Sequence, residues 1–195
     1  MASRLLETSD GFAGIVFGEI QALLSEAGVA LADVDLYAAA SGPGSFTGVR
    51  IGLTAVKSLA EVHGKGVVPV SNLRALSFRA PASRIAAVLD ARRGEVYGAV
   101  FDVSGESLVS ESAFAWEEFR AIAGDALFVS IGAEVFEPDG AAPLDASDKR
   151  LVVERLAEPI AAFASLSAEP VSPERVEPNY IRRPDAERNW KSPLT

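Results

Sequence analysis

The chain has 195 residues, 49% of them apolar and 23% charged, and 27 Asp and Glu against 18 Lys and Arg give it a net charge of −9. This is the make-up of a soluble globule of one domain or two small ones, long enough to bury about 70% of the surface its unfolded chain exposes. With no cysteine and His63 as the single histidine, the chain excludes disulfide frameworks, thiol nucleophiles, thiolate zinc and any site needing two imidazoles. No signal-like segment opens it and no run of about 20 apolar residues follows, so a cytoplasmic protein off the membrane is expected. Charge is uneven: 6 basic and 7 acidic residues lie up to Arg79, whereas 12 basic and 20 acidic residues follow. That asymmetry suggests two regions, 1–79 and 80–195.

From Asp10 the residues Phe12, Val16, Ile20, Leu23 and Ala27 recur at spacings of three and four, which predicts a helix capped by Ser9 or Asp10 and closed by Gly28. Val34 to Ala40 is short, apolar and stopped by Gly42 and Pro43, as a buried parallel strand would be. Ser45 can cap a second helix, on which Phe46, Val49, Leu53, Val56 and Ala60 share a face until Gly64 ends it. A strand over Val67 to Val70 and a short helix over Asn72 to Phe78 complete the first region.

In the second region, Ile85 to Leu89 and Val96 to Phe101 flank Arg92, Arg93 and Gly94 as a hairpin. Leu108 to Phe114 reads as a third strand, Trp116 to Ala123 as a helix and Leu127 to Ile131 as a buried strand. A loop over Phe136 to Asp148 precedes a helix over Glu154 to Leu166, which Pro159 is expected to bend, and the Pro-rich tail from Pro170 to Leu194 is expected to be extended. Both regions share a helix, strand, helix pattern, but the first lacks the three strands that open the second. Two strands leave sheet edges unpaired, so the chain is expected to start late or to be truncated.

Ser41-Gly42-Pro43-Gly44-Ser45-Phe46-Thr47-Gly48-Val49-Arg50 lies between a strand and a helix N-terminus, where free amides and the helix dipole favour anions. It lacks the Gly-Lys-Ser/Thr of a Walker loop, the spacing of a dinucleotide fingerprint and the Gly-x-Ser-x-Gly of a nucleophile elbow. An ordinary tight turn and a ligand or partner contact both remain open, with Gly42, Pro43, Gly44 and Ser45 as the candidate ligand loop. Gly48 and Gly52 weaken the following helix by about 1 kcal/mol each relative to Ala and flatten one face of it.

The run from Gly42 to Leu53 with Ala55, Lys57, Leu59 and Ala60 resembles the signature of the TsaB (YeaZ) family, dimerisation subunits of the bacterial tRNA threonylcarbamoyladenosine machinery. Val70-Ser71-Asn72-Leu73, Asp90-Ala91-Arg92-Arg93-Gly94-Glu95-Val96-Tyr97 and Pro178-Asn179-Tyr180-Ile181-Arg182 extend the resemblance over nearly the whole chain. It implies an α/β fold of two ribonuclease-H-like lobes of the actin/Hsp70 ATPase class, the first lobe here lacking its opening three strands. It also implies a noncatalytic partner of TsaD, the subunit that transfers threonylcarbamoyl to adenosine 37 of tRNA, with TsaE, an ATPase, joining the assembly. In the family, the first-lobe helices pair with their counterparts in the partner. That places Phe12, Val16, Phe46, Gly48, Val49, Gly52, Leu53, Ala55 and Val56 at the partner interface, with intramolecular core as the competing reading for Phe46, Val49, Leu53 and Val56. No cofactor, metal or catalytic residue is implied, and a homodimer stays open.

The rival reading is an independent ATPase or peptidase of the same fold. A kinase-like site needs phosphate loops in both lobes and an acidic metal ligand from the absent first strand. Asp90 and Glu95 are the carboxylates a motif places; a turn role for Asp90 and a helix-end role for His63 compete with catalysis. A free tRNA-binding module is disfavoured by net charge, though not by Arg92, Arg93, Arg182, Arg183, Arg188 and Lys191 taken together.

Overall fold

The computed structural model describes residues 2–6, 11–78, 80–137, 142–145, 147–167 and 169–182. It is a mixed α/β molecule with two sheets. Strands β1 (Tyr37–Gly42) and β2 (Val67–Ser71) run parallel, joined by helix α2 (Phe46–His63). The larger sheet holds β3 (Arg84–Arg92), β4 (Glu95–Asp102), β5 (Ser107–Ala115), β6 (Leu127–Ser130) and β7 (Arg150–Val152) in the order β5-β4-β3-β6-β7. Its first three strands are antiparallel neighbours, while β6 and β7 join parallel to β3 and to each other.

The larger sheet buries both faces. On one, helix α4 (Trp116–Ala123) sets Trp116 and Phe119 against Val88, Val96, Val100 and Phe128. Side chains of this size, fully buried, contribute about 1.5–3 kcal/mol each. Phe119 lies so close to β4 that a Cβ on Gly98 would stand 2.4 Å from its ring, which makes glycine a packing requirement there. On the other face, Leu73 and Leu76 of helix α3 (Asn72–Ser77) meet Ile85, Ala87, Leu89 and Phe101.

The small sheet lies between two helices. Tyr37 and Ala39 face Val49, Leu53 and Ala60 of α2, and Val68 and Val70 face Ile160 and Ala164 of helix α5 (Ala157–Ser167). The regions 1–79 and 80–195 are therefore interleaved in space, because α5 from the second covers the sheet of the first.

Several expected elements shift. Helix α1 spans Val16–Ala27, preceded by a 3-10 turn at Phe12–Gly14, because Gly11 adopts φ 86° and breaks the helix upstream. The expected caps Ser9 and Asp10 lie outside the described residues. Gly28 (φ 67°) and Gly64 (φ 59°) close α1 and α2 in the left-handed conformation. Helix α5 begins at Ala157, so Pro159 sits in its first turn, where a missing N–H costs nothing, and the expected bend has no cause. Strand β7, three exposed residues long, was not expected. A 3-10 turn over Ala133–Phe136 ends where the expected loop begins and buries Phe136.

Candidate functional site

Three segments far apart in sequence meet around a cavity of about 360 Å3: the turn Gly42–Ser45, the tip of the β3–β4 hairpin and the strap Asn179–Arg182. Each is shaped by local chemistry. Ser45 caps α2, its Oγ accepting from Gly48 N at 3.3 Å. The Gly42–Pro43 peptide is cis, and Pro43 O accepts from Nδ2 of the buried Asn72 at 2.9 Å.

The hairpin turn has Arg93 and Gly94 at positive φ (60° and 74°), as two-residue hairpin turns require, and a bulge puts Arg92 at φ 67°. Asp90 Oδ1 accepts from Arg92 N at 2.7 Å, and its other oxygen lies 3.4 Å from the Arg92 guanidinium. Asp90 is thus a turn residue. His63, in the last turn of α2, has Nδ1 2.8 Å from Leu59 O, to which it donates.

The strap ties these parts together. Asn179 N donates to Ser41 O at 2.7 Å, and Asn179 Nδ2 donates to Glu111 Oε2 at 2.7 Å. The other oxygen of Glu111 accepts from Ser71 Oγ. Tyr180 stacks on Phe46 with ring centroids 5.1 Å apart, its hydroxyl accepts from Arg50 Nε at 2.7 Å, and the Arg50 guanidinium lies 3.9 Å over Phe46. Arg182 donates to Ala91 O at 3.0 Å and pairs with Glu95.

The expected partner-face residues separate into three groups. Phe12 is 45% exposed, and Val16 is half-buried beside an apolar groove of about 570 Å3 between α1, β1, α2 and α5. Gly52, Ala55 and Val56 line the same groove. Val49, Leu53 and Ala55 are buried within the chain, the position that the competing core reading gives Val49 and Leu53, while Ala55 also edges the groove. Phe46 and Gly48 lie at the cleft end of α2, Phe46 against the strap. The turn Gly42–Ser45 lines the cleft as the ligand-loop reading requires, but Asn179 already lies against Gly42. Glu111, which braces the cleft, carries no local sequence signal because its partners are distant in the chain, whereas Asn72 lies in the Val70-Ser71-Asn72-Leu73 motif.

Among the described residues, no group of three or more His, Cys, Asp and Glu could hold a metal ion, and no helix is long and apolar enough to cross a membrane.

Known proteins sharpen the assignment. Residues 7–129 match the family model "TsaD: tRNA N6-adenosine threonylcarbamoyltransferase". The tRNA threonylcarbamoyladenosine biosynthesis protein TsaB of Escherichia coli is 30% identical over an alignment covering 88% of this chain and 80% of that protein. The chain belongs to the TsaB (YeaZ) family. TsaB of Haemophilus influenzae is 42% identical over 82 residues, 40% of this chain and 35% of that one. A tRNA N6-adenosine threonylcarbamoyltransferase of Rhodopseudomonas palustris is 46% identical over 61 residues, 31% of this chain and 17% of its own. Among solved structures, YeaZ from Pseudomonas aeruginosa superposes with a TM-score of 0.62 at 34% identity, covering 86% of this chain and 83% of that one. A P. aeruginosa protein described as similar to peptidase YeaZ reaches 0.67 at 34% identity, covering 87% and 84%.

Proposed function

We propose that this TsaB-family chain is the noncatalytic member of a pair, binding TsaD and supporting its transfer of threonylcarbamoyl to adenosine 37 of tRNA, with TsaE joining the assembly. The observation that carries this reading is the uncovered apolar side of the first two helices. No residue of α1 is buried, although Val16, Phe17, Ile20, Leu23 and Leu24 are all apolar; Phe17 is 49% exposed and Val62 of α2 is 79% exposed. Apolar surface concentrated on neighbouring helices marks an interaction site. The strand order β5-β4-β3-β6-β7 supports a ribonuclease-H-like second lobe, and β1, α2 and β2 support a first lobe.

A hydrolase reading is raised by the description of a similar structure as peptidase-like. The candidate groups weigh against it, since Asp90 is engaged by Arg92 and His63 by Leu59 O. Mixing the chain with TsaD and measuring the mass of the complex tests the proposal. A heterodimer is expected, and Phe17→Glu is expected to weaken it at least about tenfold, since a charge would be buried unpaired. The melting temperature of the free chain should hold. Absence of a complex, or ATP or peptide turnover by the chain alone, would refute the reading.

A further inference from the structure

We propose that the cleft mouth is a contact site for single-stranded RNA, with phosphates facing the hairpin arginines and a base stacking beside Tyr180. The inference rests on the preceding reading only in taking tRNA as the RNA.

Local charge is the first reason. In a chain of net charge −9, Arg50, Arg92, Arg93 and Arg182 gather at the cleft, with Asp90 and Glu95 beside them. Glu134 and Glu137 lie along the other side of the hairpin tip, so a polyanion would approach from the cleft side.

The hairpin is the second. Arg92 and Arg93 hold positive φ, a conformation that glycine or asparagine adopts readily and other side chains adopt at roughly 1–2 kcal/mol. Asp90 holds that conformation through the Arg92 backbone N–H, and the turn leaves the Arg92 side chain 87% exposed at the cleft.

The third is the aromatic pair. Phe46 and Tyr180 stack yet remain 37% and 39% exposed, beside the Arg50 guanidinium. Arginines tracking phosphates next to rings that accept any base are the means by which single strands are held without sequence readout. A free nucleotide fits less well, because Asn179 occupies the approach to Gly42 where a phosphate would meet the turn.

The test is fluorescence anisotropy of a fluorescein-labelled anticodon stem-loop RNA at low salt, with the chain alone and with TsaD. Arg92→Glu with Arg93→Glu should weaken RNA binding about tenfold or more and flatten the salt dependence by about 0.7 for each phosphate that is no longer neutralised. Tyr180→Ala should cost about fivefold or more, and Tyr180→Phe, which keeps the ring, should bind as the parent does. Lys149→Glu with Arg150→Glu, at exposed sites away from the cleft, makes the same change of four charges and controls for net charge. Affinity for TsaD should stay unchanged in every variant. The proposal falls if the parent chain binds no RNA, if Lys149→Glu with Arg150→Glu does equal damage, if ATP displaces the RNA, or if the hairpin variant loses TsaD to the same degree. An RNA response that follows these expectations in a chain unable to bind TsaD would overturn the partner reading and leave this one standing.

Discussion

Gly42 concentrates the constraints of the cleft in one residue. Its φ is 105°, and a Cβ there would stand 2.9 Å from the backbone oxygen of Asn179. Gly42→Ala should therefore destabilise the chain by about 1–3 kcal/mol, through backbone strain and a displaced strap, and a thermal melt would register it. Gly52→Ala should do the opposite. The space around a Cβ at Gly52 is open, so the substitution should raise stability by about 0.5–1 kcal/mol through helix propensity alone; a lowered melt would mean that the helices close more tightly there. Glu111 makes a third case, since it accepts from both Ser71 and Asn179. Glu111→Ala leaves two donors without their acceptor, at about 1–3 kcal/mol, unless water replaces the carboxylate. Ser45, Gly28 and Gly64 were legible in the sequence because capping is a local rule. Glu111 was not, because its partners stand 40 and 68 positions away.

At the scale of elements, legibility followed how much of each pattern the chain itself uses. The hairpin, α2 and α4 were readable because their apolar periodicity is spent on cores within the molecule. The same periodicity on α1 predicted a helix correctly but could not say that its apolar side stays uncovered. Strand β7 was not legible because three residues are too few for an alternation pattern, and it exists through its ladder with β6. The glycine turn was readable as strand-to-helix punctuation. That the strap closes over it was not, since Tyr180 and Phe46 meet only through the tertiary fold.

The whole molecule joins two units of unequal support. The larger sheet has five strands and aromatic packing on one face, whereas among the described residues β1 pairs only with β2 and α1 buries nothing. Local opening costs least where few apolar groups are buried, so β1, α1 and α2 should open before β3 and β4 do. Hydrogen exchange under native conditions should find the amides of β1 and α2 less protected than those of the β3–β4 ladder. Adding TsaD should slow exchange in α1 and α2 most, if those helices carry the partner. The strap and α5 hold the units together, and Arg182 reaches the larger sheet through Ala91 O and Glu95. Arg182→Ala should accordingly raise exchange in the small sheet while leaving β3 and β4 unchanged. Equal acceleration in both sheets would show instead that they open as one cooperative body and that the strap only adds to its total stability.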